Sequence, residues 1–240
     1  MGSPVRFPFG VTNVDKTSPF AMMGLPSPLT FHAYFTDFDE YVATSRWTET
    51  KVGAGTVALT DVDGGAILIT NAAADDDSVC VQKVGEGFLL ASGKRVFFEA
   101  RFAVSDATQC DWIFGLYTTD TTPIAAGGDG VTDGIFFQKD DGDTNIDFYV
   151  QNNTTTGQLT TTAITTASAA ATFMRLAFFF DGKRYVHVYK DGVELNQVDL
   201  TATLATYLPD TELTVGFGLQ NGEAVAKTMT IDYLFVAEER

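Results

Sequence analysis

Between residues 175 and 198 the chain alternates apolar and polar positions in three short runs. In the middle run, Val186 and Val188 occupy alternate positions, which places them on one face of a strand and their neighbours on the other. Asp-Gly pairs at 181–182 and 191–192 separate the runs. Such a pair between alternating apolar residues favours a type I′ turn, because both central residues of that turn need positive φ. The pattern predicts three antiparallel strands joined by two tight turns.

The same reading extends along the chain from Ala33 to the end. Alternating runs are separated by turn residues, for example the Asp63-Gly64-Gly65 triplet, and a helical period is absent except for a short helix predicted at 200–208. Roughly a dozen strands with frequent turns are typical of an all-β sandwich. The inward positions of these strands predict a core that includes Phe98, Phe102, Phe148, Leu176, Phe178 and Val188.

The first 31 residues differ from the rest of the chain. Five of the seven prolines lie between positions 4 and 28, and proline disfavours regular sheet because it removes a backbone donor. The segment is nevertheless too apolar for a solvated tail. We therefore divide the chain into an extended arm, 1–31, and a sandwich, 32–240. The arm should lie against its own sandwich or a neighbouring subunit, through the apolar side chains of Phe7, Phe9, Phe20, Met22 and Leu25.

Composition excludes several classes of partner. The net charge is −16 and no cluster of Lys and Arg is present, so nucleic acid and anionic membranes are not expected as partners. No run approaches the roughly 18 apolar residues of a membrane helix, and the first residues lack a signal-peptide core. We expect synthesis in a cytoplasm. Phe dominates the aromatic residues, with 20 copies against 8 Tyr and 2 Trp, which is typical of a packed core.

A catalytic site is not expected. A glycosidase needs two carboxylates about 5–10 Å apart, and the nearest approach is Glu99, whose neighbour two positions on is Arg101. The pattern predicts that these two form an ion pair on the outward face, while Phe98 and Phe102 point inward. The other candidates are isolated in the sequence, and they are Asp111, Asp147, Asp232, His32 and His187.

Oxygen ligands for a metal ion are concentrated in one turn. Asp140, Asp141, Asp143, Asn145 and Asp147 fall within eight residues, a composition that would suit Ca²⁺. The glycine and glutamate of an EF-hand loop are missing, and Asp and Gly are also ordinary turn residues. We interpret the segment as a solvated turn, and no metal or cofactor is expected.

Two other groups of residues have structural interpretations. The aspartates at 75–77 are predicted to form a polar loop tip. Cys80 and Cys110 lie in strand-like runs, where a disulfide is possible but two buried thiols are favoured. A lectin would need exposed Trp or Tyr side chains to stack on sugars, and Trp47 and Trp112 both lie in runs that predict partial burial.

Four segments resemble known proteins. The hairpin YKDGVEL at 189–195 is similar to the meander of laminin-G and concanavalin-like jelly rolls. The opening PVRFPFGVTNV, the following DFDEY segment, which the resemblance reads as a strand, and the ending TMTIDYLFVAEER resemble tailed-phage head proteins, with Ala237 replacing a polar residue of the terminal motif.

The resemblance implies a function. It implies a non-enzymatic virion protein that decorates and stabilises a capsid by binding the major capsid protein from outside, as a homo-oligomer of this chain with a trimer favoured. The alternative interpretation is a lectin-like carbohydrate-binding module, because sandwiches of this kind serve many unrelated functions.

Overall fold

The computed structural model describes residues 28–125, 130–153, 157–200 and 204–240. These residues form two antiparallel sheets, which confirms the predicted all-β sandwich. The five apolar arm residues, Phe7, Phe9, Phe20, Met22 and Leu25, lie outside the described residues, so their role stays a prediction. None of the described residues forms a helix long and apolar enough to cross a membrane.

Sheet I has eight strands. Its strands are β1 (Phe31–Thr36), β3 (Thr56–Thr60), β4 (Ala66–Thr70), β6 (Val96–Val104), β11 (Met174–Phe180), β12 (Tyr185–Lys190), β13 (Val193–Asp199) and β15 (Thr228–Glu239). The order is β13-β12-β11-β6-β15-β4-β3, and β1 also pairs with β15. The long strand β15 therefore holds β6 on one side, and β4 and then β1 on the other.

Sheet II has seven strands. They are β2 (Trp47–Val52), β5 (Ser78–Lys83), β7 (Cys110–Tyr117), β8 (Gly134–Lys139), β9 (Asn145–Asn152), β10 (Gly157–Thr166) and β14 (Thr214–Asn221). Their order is β10-β9-β8-β7-β14-β5-β2. One short helix, α1 (Leu204–Tyr207), contacts β9 and β10. The helix predicted at 200–208 is therefore present but shorter than predicted.

The core lies between the two sheets and is built from the inward positions of alternating strands. All six residues predicted for it are buried in one cluster, namely Phe98, Phe102, Phe148, Leu176, Phe178 and Val188. Trp47 and Trp112 belong to the same cluster. The sequence predicted partial burial for these two indoles, but their exposed fractions are only 2% and 0%, so neither can stack on a sugar.

The meander is confirmed, but its two turns differ. Asp191 and Gly192 have φ angles of 52° and 82°, as a type I′ turn requires. At the first Asp-Gly pair only Gly182 has positive φ. Asp181 instead accepts hydrogen bonds at its Oδ1 from the backbone amides of Lys183, Arg184 and Tyr185. The prediction of a two-residue turn was wrong there, because the aspartate side chain stabilises a longer loop.

The segment Asp37–Tyr41 is not a strand, although the resemblance to tailed-phage head proteins implied one. Strand β1 ends at Thr36, and Phe38 follows with a φ of 55°. The ring of Phe38 is 1% exposed and lies 6.0 Å from the rings of both Trp47 and Phe217. Core packing therefore holds this residue in a backbone conformation that interrupts the strand.

Candidate functional site

The outer face of sheet II, which faces away from the core, is covered by the loop between β7 and β8. The described parts of this loop are 118–125 and 130–133. Val131 is fully buried and packs in a cluster with four sheet side chains. Ile124 packs against the same cluster. The sheet residues of this cluster are Ile113, Tyr117, Phe136 and Tyr149.

Three glutamines of the sheet fasten this loop through their side-chain amides. Gln82 donates to the carbonyl of Thr118 at 3.2 Å and accepts from the amide of Asp120 at 3.1 Å. Gln138 donates to the carbonyl oxygen of Ala125 at 2.5 Å. Gln151 donates in the same way to the carbonyl of Val131. The glutamines and the apolar cluster therefore close this part of the outer face against a large ligand.

Glycines on β14 allow the close packing under the loop. A β-carbon at Gly216 would collide with the ring of Tyr117, and one at Gly218 would lie 2.7 Å from the Cys80 Sγ and 3.2 Å from the Ile124 side chain. The Tyr117 hydroxyl is buried and has no hydrogen-bond partner among the described residues. Burial raises the pKa of this phenol well above its ordinary value, so Tyr117 packs as an apolar side chain.

Acidic side chains gather at one end of the same face. The turn between β8 and β9 lines a cleft of about 330 Å³ with Asp140, Asp143, Asn145 and Asp147. The sheet brings Asp111 of β7 beside this turn, which the sequence did not reveal. Its Oδ1 accepts a hydrogen bond from the amide of Asp141 at 2.7 Å.

Two of these carboxylates stabilise the local backbone by accepting hydrogen bonds from its amides. Asp147 accepts from the amide of Ala163 at 2.6 Å, where Ala163 has a φ of 48° inside the irregular part of β10. Asp111 holds the β8–β9 turn in a similar way. Among the described residues, no group of three or more His, Cys, Asp or Glu side chains is placed to hold a metal ion.

The charge of Asp111 is disfavoured in the folded protein. Burial is the main cause that raises its pKa, and the carboxylates of Asp141 and Asp140 add to the effect, so that the pKa reaches about 6. The hydrogen bond from the Asp141 amide opposes this change. Burial also raises the pKa of Asp147. Ionisation of Asp111 and of Asp147 therefore works against folding.

We expect Asp111→Asn to stabilise the protein at pH 7 by about 1–2 kcal/mol. The folded pKa lies above the ordinary value of 3.8, so the native state binds the proton more tightly and the stability of the wild type should fall as pH rises from about 4 to about 6. Asparagine retains the acceptor for the Asp141 amide and cannot ionise.

Urea denaturation at pH 4 and pH 7 checks this expectation. The two proteins should be equally stable at pH 4 and differ at pH 7. Asp75→Asn, in an exposed loop, is the control and should change little at either pH. An Asp111→Asn protein that is less stable than the wild type at pH 7 would contradict the interpretation.

The predicted ion pair between Glu99 and Arg101 was wrong in its partners. Both residues lie on the outer face of sheet I, but Arg101 forms its ion pair with Asp232. Glu99 accepts a hydrogen bond from the hydroxyl of Tyr233 at 2.6 Å. Strand β15 pairs directly with β6, and this cross-strand register supplies the closer partners.

The two histidines have separate surroundings. His187 on β12 contacts the Glu194 carboxylate through Nδ1 at 2.7 Å. The ring of His32 lies 4.7 Å from that of Phe88. Burial lowers the pKa of His32, and the positive charges of Arg240 and Lys83 add to this effect. Among the described residues, neither histidine is hydrogen-bonded to a Ser, Thr or Cys side chain that could act as a nucleophile.

Of two further predictions, the one for the cysteines is confirmed and the one for the loop tip at 75–77 is correct only in part. Cys80 and Cys110 are buried free thiols, as the sequence favoured, and burial raises the pKa of each to about 12. The loop tip at 75–77 is only partly polar surface, because Asp77 is 7% exposed. Its Oδ2 accepts from the amide of Ala74 at 3.2 Å, which closes the turn from inside.

Comparison with known proteins identifies the fold. No protein-family model and no curated protein matches the sequence. An endo-1,3-β-glucanase from Streptomyces sioyaensis is similar with a TM-score of 0.62 at 15% identity, over 88% of this chain and 98% of that one. An endo-β-1,4-glucuronan lyase from Trichoderma reesei gives 0.56 at 14%, over 85% and 94%. Peanut lectin gives 0.56 at 14%, over 87% and 97%.

The fold is a concanavalin-like jelly-roll sandwich. This confirms the fold that the hairpin at 189–195 indicated. At such low identities the likeness shows the fold alone, and the similar structures include enzymes as well as a lectin. The fold class is therefore compatible with either function.

Sequence reasoning missed the loop that covers sheet II. Its only signal was that Gln82, Gln138 and Gln151 occupy outward positions in otherwise apolar strands. All three are buried, with 2%, 0% and 0% exposed. A buried amide needs hydrogen-bond partners, but the sequence does not show that the carbonyls of one long loop supply them.

Proposed function

We propose that this protein is a non-enzymatic virion protein that binds the outside of a phage capsid and stabilises it. The virion role is supported by the resemblance of the opening segment and of the ending TMTIDYLFVAEER to tailed-phage head proteins. The ending forms β15, the strand that joins β6 to β4 and β1. Symmetric copies, with a trimer favoured, would engage several capsid subunits at once and so strengthen individually weak contacts.

The covered face of sheet II is the observation that carries the non-enzymatic part of the proposal. A polysaccharide-cleaving site needs an open cleft with two convergent carboxylates. Here the loop between β7 and β8 fills the middle of that face, and Gln82, Gln138 and Gln151 fasten it. The strand carboxylates beside it, Asp111 and Asp147, accept hydrogen bonds from backbone amides.

The virion role is tested by the composition of purified particles. If the protein decorates a capsid, it should be found in particles at a fixed ratio to the major capsid protein and should bind again to particles from which it was removed. The proposal would be overturned if particles purified from cells that produce this protein did not contain it.

We expect no turnover of polysaccharides, esters or peptides. The physical reason is that the loop between β7 and β8 covers the middle of sheet II, and that the strand carboxylates of Asp111 and Asp147 accept hydrogen bonds from backbone amides. A broad panel of glycan and ester substrates, analysed for products by mass spectrometry, checks this expectation. Product that disappears in Glu99→Gln or Asp111→Asn, but persists in the Asp75→Asn control, would place the protein among the enzymes.

A carbohydrate-binding module is the second candidate. It is favoured by the lectin among the similar structures and by aromatic rings on the outer face of sheet I. Phe35 is 59% exposed, and its ring lies 6.4 Å and 6.3 Å from those of Tyr233 and Phe235. Binding to a glycan array that is lost in Phe35→Ala but kept in Val193→Ala would favour this candidate over the virion role.

A further inference from the structure

A cleft with basic side chains lies between β1 of sheet I and the paired strands β2 and β5 of sheet II. Its volume is about 250 Å³. The residues that line it are Tyr34, Ser45, Arg46, Lys83 and Val84. Lys83, the last residue of β5, lies opposite Trp47 of β2, and the carbonyl of Arg46 accepts a hydrogen bond from the amide of Val84 at 2.8 Å. Strand pairing therefore fixes the backbone of this cleft, which is called the basic cleft below.

The ammonium group of Lys83 keeps its charge available. Among the described residues no carboxylate pairs with it, and its Nζ lies 5.2 Å from the centre of the Tyr34 ring. Contact with an aromatic face positions the ammonium without a carboxylate partner. Several other basic side chains of the protein do form ion pairs with carboxylates, and they are Lys51, Arg95, Arg101, Arg184 and Lys227.

Arg46 supplies a second cation to the basic cleft. Its Nη1 forms an ion pair with Glu40, and both side chains are mostly exposed. A guanidinium group has five N–H donors, so one carboxylate leaves donors for a second acceptor. An exposed ion pair of this kind contributes little free energy, so a competing anion can displace Glu40 easily.

The surroundings of the basic cleft favour negative charge in a ligand. Burial is the main cause that raises the pKa of Tyr34, so this phenol stays neutral at pH 7 and adds no negative charge. Burial lowers the pKa of His32, and the charges of Arg240 and Lys83 add to this effect. The positive potential of Lys83 therefore extends to the neighbouring residues of β1, although the net charge of the whole chain is −16.

We propose that the basic cleft binds a small oxyanion, whose oxygen atoms contact Lys83 and Arg46. The planar guanidinium matches two oxygens of a carboxylate or a phosphate, and the ammonium adds a point charge. Val84 and the Tyr34 ring supply an apolar wall beside these donors. An organic acid should therefore bind more tightly than the bare anion. The proposal concerns a separate site and does not depend on the proposed virion role.

NMR titration of the intact chain tests the proposal. The probes are inorganic phosphate, acetate and cyclohexanecarboxylate, at an ionic strength that sodium chloride keeps constant. The backbone amide signals of Arg46 and Val84 should shift in a saturable way with these anions, but not with cyclohexylmethanol, which lacks the charge. Tighter binding of cyclohexanecarboxylate than of phosphate would assign the basic cleft to organic acids, and the reverse order would assign it to inorganic anions.

Four variants locate the binding. Lys83→Met and Arg46→Met should each weaken it by about tenfold, because each removes a charged donor. Glu40→Gln should strengthen it, because the competing negative charge is removed. Lys51→Met is the matched control and should leave it unchanged, since Lys51 lies on β2 outside the lining and pairs with Glu49. If Lys83→Met does not fold, Arg46→Met and Glu40→Gln still decide the test.

Three results would overturn the proposal. The first is a shift that does not saturate or that sodium chloride alone reproduces, because it would reflect ionic strength. The second is unchanged binding in the folded variants Lys83→Met and Arg46→Met. The third is an equal loss of binding in Lys51→Met, which would show that the anions respond to the charge of the whole surface and not to the basic cleft.

Discussion

Replacing Phe178 with alanine is expected to lower the free energy of unfolding by about 3–5 kcal/mol. Phe178 is fully buried on β11, and its ring stacks on that of Phe98 at 5.2 Å in the same sheet. It also contacts the opposite sheet, where the rings of Phe148 and Phe137 lie 5.8 Å and 6.3 Å away. The substitution therefore removes contacts within and between the sheets and leaves a cavity that rigid strands cannot close.

Urea denaturation followed by tryptophan fluorescence measures this loss. Both tryptophans, Trp47 and Trp112, lie in the same core cluster, so their fluorescence should report its unfolding. Phe35→Ala is the control, because that side chain is 59% exposed and its loss should cost well under about 1 kcal/mol. A loss below about 1 kcal/mol for Phe178→Ala would show that Phe178 does not join the two sheets.

The sequence predicted the sheets well because strand periodicity is a local property. In β12, the alternation of Val186 and Val188 with less buried neighbours places Val188 in the core. Strand β11 is apolar and buried from Leu176 to Phe180, so its pattern predicts the burial of Phe178 but not the face on which it lies. Deviations arise where a side chain competes with the local pattern. At 181–184 the carboxylate of Asp181 organises a four-residue loop, and at Phe38 packing on Trp47 interrupts the strand. Neither competing interaction can be seen in the alternation itself.

The candidate site was harder to predict because it depends on register and on long-range contacts. The Arg101–Asp232 ion pair and the Glu99–Tyr233 hydrogen bond exist because β15 pairs with β6, which is far away in the sequence. The cover of sheet II depends in the same way on a loop that returns across strands distant in sequence. The local sequence pattern shows which side chains point outward from such a face, but it does not show which loop packs on them.

Lys227 joins two loops at one end of the sandwich. Its side chain is 4% exposed, and its Nζ lies 2.8 Å from the Asp106 carboxylate and 2.5 Å from that of Glu223. Asp106 follows β6, and Glu223 follows β14. Burial alone would raise the pKa of Asp106, but hydrogen bonds from Lys227 and from the amides of Gln109 and Thr108 lower it to about 2.

Lys227→Met is therefore expected to lower the stability at pH 7 by about 2–3 kcal/mol. Removal of one partner leaves two carboxylates without their cation in a partly buried place. The folded pKa of Asp106 lies below its ordinary value, so its contribution is fully present above about pH 4 and is lost as pH falls through about 2. The difference between wild type and variant should shrink over the same range, as urea denaturation from pH 7 to pH 2 would measure.

The matched control for Lys227→Met is Arg46→Met. The Arg46–Glu40 pair is exposed, with 62% and 58% of the two side chains accessible, and such pairs contribute about 0.5 kcal/mol or less. If Lys227→Met costs no more than this control at pH 7, burial of the ammonium offsets its two ion pairs. If it costs about 2–3 kcal/mol, and if the difference from the wild type shrinks as Asp106 takes up its proton towards pH 2, the ion pairs of Lys227 hold the β6 and β14 ends together.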